Sequence, residues 1–580
     1  MSVIITNQTT APLPDACGGA STRSRGPTSG VLASLTPAVF VVALLTALLH
    51  MAPYWRAQSQ VPPGWTFTGN TRVSPDYMQY RVWTRQTQQT GVLVSDQFTS
   101  EPNEPHLLVL FYYAVGQISL WTGLSPETVY AHLGSIFTFA LTLLLFAGVR
   151  AFMKSPSQAW WVFLAILLGG GLGAHLKILS YIGEVSGSFL LERLLVEPLR
   201  GQPTFDDFRF AYVFVTLFDT HTALNWLGTM AAVLSFYFTL RDYAAWRVAL
   251  TAGLYAGMTL LHLYEGITLL LITAAVAAVY WRKGLAIRPA LVTLAACTVT
   301  VALSLGGQWL LYHSSGLPVT SWRAKPIPFS VLFLAYPLAW VVIAWGFFDY
   351  WQKAGPKECF LLGWALGCSA LILSGPFFPY PDRGAMTLQC PLFVIAGTIY
   401  FTRHSQVTAR AALVAICLLG AGPVFELVAR HWVPLGFRTD APYMYMSTEH
   451  REIVDSLRQH AQDDDVLLAD DASVLWLAPE YQGKHYAGHF FLTVDYERKR
   501  AEVARFYDGA SETPTSLLKR EGIRFVYVPA GRGPDRFQQL PDLSAIIARP
   551  VGTLFEYRPE RLSEVRALGD NRGRSLPDVS

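Results

Sequence analysis

Apolar stretches about twenty residues long recur through this 580-residue chain as far as residue 429, and no other feature constrains its fold as strongly. They lie near 31–50, 128–149, 157–175, 222–240, 245–262, 265–281, 289–312, 329–349, 358–375, 386–402 and 410–429. Each can cross roughly 30 Å of hydrocarbon as a helix, which satisfies its own backbone hydrogen bonds where no water is present. Composition agrees: 52% of residues are hydrophobic and 15% charged, against about a quarter charged in soluble domains. The reading is a mainly α, polytopic membrane protein of about eleven transmembrane helices with a small α/β domain at its C-terminal end. An aromatic share of 13% suits rings anchored at two membrane interfaces. The net charge of +3, with no run of Lys or Arg, excludes nucleic acid as a partner. Five of the six cysteines lie in or beside apolar segments without zinc-ligand spacing and read as small buried hydrophobes.

Charge sets the topology. Residues 1–30 form a polar, disordered cytoplasmic tail, and no small-residue cleavage site follows the first span, so that span is expected to remain. The loops then predicted to be cytoplasmic carry Arg150 and Lys154, Arg241 and Arg247, Arg282, Lys283 and Arg288, Lys353 and Lys357, and Arg403 and Arg410, as the positive-inside rule requires. Counting the apolar stretch 105–122 as a span would reverse every later loop, so it is placed as a juxtamembrane or re-entrant segment. The membrane domain is therefore 31–429, with outer loops 51–127 and 176–221, and region 430–580 falls outside the cytoplasm. The expected location is the bacterial inner (plasma) membrane.

Beyond residue 430 the chain becomes charged. Helices are expected over Glu449–His460, Ser473–Ala478 and Val494–Tyr507, and strands over Asp465–Ala469 and Ile523–Val528. This pattern describes a small α/β domain.

Loops this long are uncommon without a task. In the first, Pro75 and Asp76 start a short amphipathic helix that places the carboxylate at the positive end of the dipole. Asp76 is then either a helix-starting acid or a general base at the membrane surface. Asp96 and Glu101 follow it. The second loop holds Glu184, Glu192, Glu197 and the pair Asp206-Asp207, which is solvated charge or a divalent-cation site. Asp219 and His221 stand at a helix mouth, where polar groups are costly unless paired or facing water. His262 and Glu265, spaced i, i+3 at an outer turn, are interfacial polarity or a proton relay, substrate contact or metal site. Arg323, Lys325 and Arg383 put cations on the same face, where they either reach lipid headgroups or hold a phosphate. No nucleotide-binding loop, dinucleotide fingerprint, zincin motif or nucleophile elbow occurs.

Several stretches carry a resemblance: Ser74–Arg85, Phe98-Thr99-Ser100-Glu101-Pro102-Asn103-Glu104-Pro105, Gly123-Leu124-Ser125-Pro126 with Val129-Tyr130, and His262-Leu263-Tyr264-Glu265. In the terminal region Tyr486-Ala487-Gly488-His489, Tyr496-Glu497-Arg498-Lys499-Arg500 and Gly522-Ile523-Arg524-Phe525-Val526-Tyr527-Val528 add to it. With a first helix, a large acid-bearing loop and an outer terminal domain, the chain resembles the C superfamily of membrane glycosyltransferases (GT-C). The likeness is greatest to the bacterial branch related to protein mannosyltransferases and lipid A aminoarabinose transferases. The resemblance implies a polyprenyl-phosphate-linked sugar donor and a glycan, lipid or protein acceptor. Asp76 would correspond to the carboxylate that deprotonates or orients the acceptor. Arg383, with Arg323 and Lys325, would hold the donor phosphate, and Glu101, Asp219, His221, His262 and Glu265 would contact substrate. A second acid often follows the first directly in such enzymes; here Tyr77 follows Asp76, so the partner must be Asp96, Glu101 or a second-loop acid. No cofactor is required by this reading, although a divalent cation is compatible with it. A lipid-linked-sugar flippase and a non-catalytic membrane scaffold are the alternatives. Spans nearly free of internal charge and the absence of repeats argue against transport.

Overall fold

The computed structural model describes residues 36–71, 74–169, 219–317, 335–375, 381–404, 443–509, 514–540 and 542–558, with isolated positions between them. The tail 1–30, Arg323, Lys325, Glu184, Glu192, Glu197 and Asp206-Asp207 lie outside the described residues, as does most of the expected span 410–429.

Helix α1 (Pro37–Ser59) is followed by strand β1 (Trp65–Phe67), helix α2 (Pro75–Thr90), strands β2 (Leu93–Val94) and β3 (Leu107–Leu108), and helix α3 (Leu110–Thr122). The bundle continues with α4 (Pro126–Phe152), α5 (Pro156–Leu168), α6 (Thr220–Arg241), α7 (Ala245–Leu261), α8 (Leu263–Arg282), α9 (Arg288–Ser314), α10 (Pro337–Lys353), α11 (Pro356–Leu373) and α12 (Ala385–Arg403). Among the described residues, seven of these are long and apolar enough to cross a membrane: α1, α4, α6, α8, α9, α11 and α12.

Two boundaries differ from expectation for physical reasons. The first helix was expected to stop near residue 50 but runs through Pro53 to Ser59. Its last turns are held from outside, by the Tyr54 hydroxyl on Thr128 Oγ1 at 2.7 Å and by the Tyr445 hydroxyl donating to Ala57 O at 2.8 Å. Helix α5, expected over 157–175, ends at Leu168, where Gln389 Nε2 donates to the open carbonyls of Ile166 and Gly169 at 3.0 and 2.8 Å. Helix α10 has Pro337 in its first turn, where no N–H is needed. Helix α3, within the disputed stretch 105–122, has 13 residues. At 1.5 Å per residue it is about 20 Å long, too short to cross.

Cations finish the helices at one end of the bundle: Arg150, Arg241, Arg282, Lys353 and Arg403 occupy the last turns of α4, α6, α8, α10 and α12. Contacts gather these ends, with Lys357 Nζ on Ala151 O at 3.0 Å and Arg403 on Asp349 at 3.2 Å. Helices α8 and α11 cross in close contact through Gly363 and Gly367, spaced as a small-xxx-small pair. A Cβ on these glycines would lie 2.4 Å from Val276 Cα and 2.6 Å from Ile272 Cα respectively.

The terminal unit runs β4 (Tyr445–Ser447), α13 (Thr448–His460), β5 (Val466–Leu468), α14 (Asp471–Leu477), β6 (Lys484–His485), α15 (Tyr496–Asp508), α16 (Pro514–Arg520), β7 (Ile523–Pro529), α17 (Asp535–Gln538), β8 (Leu543–Arg549) and β9 (Gly552–Tyr557). Its sheet has the order β6-β5-β7-β9-β8, with β5 parallel to β6 and β7, and β9 antiparallel to β7 and β8. From Phe525 to Val528 strand β7 is an unbroken apolar run because both faces are covered. Phe525 and Tyr527 face one cluster, and Ile523, Val526 and Val528 the other.

The first loop belongs to the same packing unit. Strand β1 pairs antiparallel with β4, and Met78, Val82 and Phe98 share a core with Ile453, Leu457 and Trp476.

Candidate functional site at the polar end of the bundle

Helix α2 starts where Ser74-Pro75-Asp76 predicts. The Ser74 hydroxyl accepts from Asp76 N–H at 3.2 Å, Pro75 occupies the first turn, and Gly91 ends the helix at φ 89°. Its three faces have separate tasks. Met78 and Val82 enter the terminal unit's core. Arg81 and Arg85 meet Glu127 at the start of α4 and Glu480 of the terminal unit, with Arg81 at 3.0 and 2.9 Å from the two carboxylates. Burial alone would raise the Glu480 carboxyl, but Arg85, Arg81 and Arg458 hold it down to about 2. The third face carries Tyr77 and Tyr80 into an aromatic wall with Tyr112 and Tyr130.

Asp76, in the first turn, is half exposed at this end, its Oδ1 lying 3.7 Å from His489 Nε2. Asp219 caps α6, its Oδ1 accepting from His221 and Thr222 N–H at 3.1 and 3.2 Å. His221 then stacks on Tyr80 with centroids 5.0 Å apart, bonds the Tyr112 hydroxyl through Nδ1 at 3.0 Å, and lies 5.3 Å from His262. His262 sits in the break between α7 and α8, its Nδ1 3.9 Å from Glu265 Oε1. Glu265 is fully buried and its Oε2 accepts from Thr229 at 3.5 Å. Arg383 stands in the short 3-10 turn Pro381–Gly384 that leads into α12. Its charge acts on Tyr80, His221 and His262, while Asp76 and Asp219 both act on Tyr80 and His221.

The structure therefore brings Asp76, Asp219, His221, His262, Glu265 and Arg383 together at the N-terminal ends of α2, α6, α8 and α12. Those ends carry the positive poles of the helix dipoles. Of the acids named beside Asp76, Asp219 of the second loop is the one whose charge reaches Tyr80 and His221 together with it. Glu101 serves a separate contact: both its oxygens lie 2.7 Å from Nζ of Lys499, which is fully buried and also donates to Ser100 Oγ at 2.9 Å. Asp96 caps its own loop by accepting from Phe98 N–H at 2.8 Å, and burial raises its carboxyl to about 7. Burial, with Asp76 and Asp219 nearby, pushes the Tyr80 phenol well above its usual range, so it remains a proton donor.

Sequence reasoning missed part of the site. His50, hidden inside the first apolar span, contacts Thr220 Oγ1 through Nε2 at 3.2 Å and Thr138 Oγ1 through Nδ1 at 3.3 Å. Gly134 makes room for it, since a Cβ there would lie 2.1 Å from His50 Nε2. Beside this group opens a small pocket of about 50 Å³ lined by His50, Tyr54, Tyr77, Tyr80, Tyr130 and Thr220. The signal available was a lone His in an otherwise apolar span. Among the described residues no group of three or more His, Cys, Asp or Glu has metal-binding geometry.

No family model matches the sequence, and no curated protein matches it. Among solved structures, the chain is similar to the single-particle cryo-EM structure of the arabinofuranosyltransferase AftD from mycobacteria, with a TM-score of 0.51 and 13% identity. The match covers 90% of this chain and 40% of that one, so the chain spans well under half the length of its structural neighbour. At this identity the likeness is one of fold, and the seven long apolar helices among the described residues mark a multi-pass membrane protein.

Proposed function

We propose that this protein is a membrane glycosyltransferase that moves a sugar from a polyprenyl-phosphate donor to an acceptor hydroxyl on the outer side of the bacterial plasma membrane. The observation that carries the reading is the convergence of Asp76 and Asp219 with Arg383 at helix N-termini, beside an aromatic pocket. In the reaction, Asp76 accepts the acceptor's O–H proton as the oxygen attacks the anomeric carbon. The bond from that carbon to the phosphate breaks on the opposite face, its electron pair leaving with the phosphate oxygen, so configuration inverts. Arg383 and the positive helix ends stabilise the charge gathering on the leaving phosphate. The Tyr80 and Tyr112 hydroxyls and His221 orient the sugar. Arg323 and Lys325 would add to the phosphate contacts, and Asp206-Asp207 would hold a divalent cation if one takes part. The structural neighbour's name makes arabinofuranose the first sugar to try.

The test is transfer of radiolabelled sugar from a panel of polyprenyl-phosphate pentoses and hexoses by the purified protein in detergent, with and without EDTA. Wild type is run beside Asp76→Asn and Arg383→Ala. Transfer that falls about a hundredfold or more in a folded Asp76→Asn protein supports the enzyme and its base. Absence of transfer and of donor binding across the panel would return weight to the flippase and scaffold alternatives.

A further inference from the structure

His489 is the only histidine of the terminal unit whose ring nitrogen forms an ion-pair-range contact with an acid of the site, among the described residues. The loop that delivers it is tightly built. Gly488 and His489 N–H groups both donate to Thr493 Oγ1 at 3.0 Å, and that hydroxyl donates to Phe98 O at 2.6 Å. Ala487 forms a β-bridge with Thr99, and a Cβ on Gly488 would lie 2.9 Å from the Phe98 ring. The imidazole is wedged between Phe98 and Phe490, with centroids 5.7 and 4.7 Å away, and its side chain is 1% exposed. Phe491 N–H donates to Nδ1 at 3.2 Å. With Nδ1 accepting, the ring's hydrogen sits on Nε2, the nitrogen 3.7 Å from Asp76 Oδ1. No hydrogen-bond partner reaches that nitrogen among the described residues, and Asp76 is the acid within ion-pair range of it.

We propose that His489 is a positioning residue for Asp76: its Nε2–H, aimed by the terminal unit, anchors one carboxylate oxygen and so fixes the direction from which the acceptor's proton is taken. This rests on the reading of Asp76 as base. The contact is longer than a hydrogen bond, as contacts in unliganded catalytic sites commonly are, and shortens when the acceptor is bound. Because Nδ1 is committed to Phe491, the ring orients the base and does not relay its proton. The active arrangement is then assembled from two ends of the chain, and the terminal unit is part of it.

Two measurements test this. Initial rates are compared for wild type, His489→Ala, His489→Gln, Asp76→Asn and the Asp76→Asn/His489→Ala double variant, using the polyprenyl-phosphate sugar that wild type consumes. Glutamine sets a neutral N–H near the Nε2 position and guards against misfolding of the alanine variant. His489→Ala is expected to lower kcat about tenfold at unchanged donor KM, with recovery in His489→Gln and no further loss in the Asp76→Asn background. Wild-type kcat in His489→Ala overturns the proposal, as does a loss that glutamine does not recover and that persists when Asp76 is already asparagine. Full activity in Asp76→Asn would instead overturn the base assignment itself. Independently of any substrate, the infrared difference between wild type and Asp76→Asn isolates the Asp76 carboxylate band. That band is expected to move in His489→Ala and return in His489→Gln; an unmoved band refutes the contact.

Discussion

Replacing Glu480 by glutamine should loosen the terminal unit from helix α2 without touching the candidate site directly. Glu480 is 12% exposed and meets Arg81, Arg85 and Arg458 at 2.9, 2.9 and 2.8 Å. Its carboxyl is lowered from 4.5 to about 2 despite burial, which corresponds to about 3 kcal/mol of stabilisation by the paired state. That agrees with the roughly 3–5 kcal/mol lost when one member of a buried charge group is removed and its partners are left uncompensated. A folded-state value below the unfolded one means that the contribution is complete above about pH 4.5 and disappears as pH falls toward about 2. Amide hydrogen exchange in peptides covering 75–90 and 448–460 reads the opening directly. At pH 7, Glu480→Gln should exchange there about a hundredfold faster than wild type. The gap should narrow as wild type is acidified through the same window. Equal exchange at pH 7, or a gap that does not narrow with acid, would refute the account of Glu480 as the charge that holds the two parts together.

Gly367→Val should separate α8 from α11, because the new Cβ would meet the Ile272 backbone at 2.6 Å, and the cost of about 1–3 kcal/mol or more should appear as lost monodisperse protein in size-exclusion chromatography. Gly307→Val on α9, where a Cβ meets open space, is the control and should elute as wild type. Gly134→Ala should displace His50 and Thr220 and, through Thr220, its neighbour His221; a transfer rate at least tenfold below wild type, with a lowered thermal midpoint, is expected. Tyr112→Phe removes the hydroxyl 3.0 Å from His221 Nδ1 and should cost only about 1 kcal/mol in stability by thermal unfolding while slowing transfer severalfold.

The bundle was legible because a bilayer imposes a length and a polarity that each segment must meet by itself. The same holds for Asp76: Ser74-Pro75-Asp76 starts a helix by local chemistry, whatever it packs against. Asp219, His221, His262 and Glu265 could be noticed because polar residues at the mouths of apolar segments are costly. That they face Arg383 and one another could not be read, since their meeting depends on which helices are neighbours. His489 and the Glu480 cluster were illegible for the same reason. Arg81 and Glu480 are 399 residues apart, and no period or spacing links them. The β8–β9 hairpin escaped because Ser544, Arg549, Thr553 and Glu556 interrupt its apolar pattern, and β1 because a three-residue strand carries almost no periodicity.

The pairing of β1 with β4 also sets a schedule for biosynthesis. Thr68 bonds the carbonyl of Tyr443, 375 residues later. At about 5–20 residues per second, the first loop waits roughly 20 to 75 seconds after its own synthesis before its partner exists. During that interval the apolar side of α2, with Met78 and Val82, lacks the terminal-unit side chains that cover it in the finished fold. It also means that a chain cut short anywhere within the bundle leaves β1 and the apolar side of α2 without the partner they pack against.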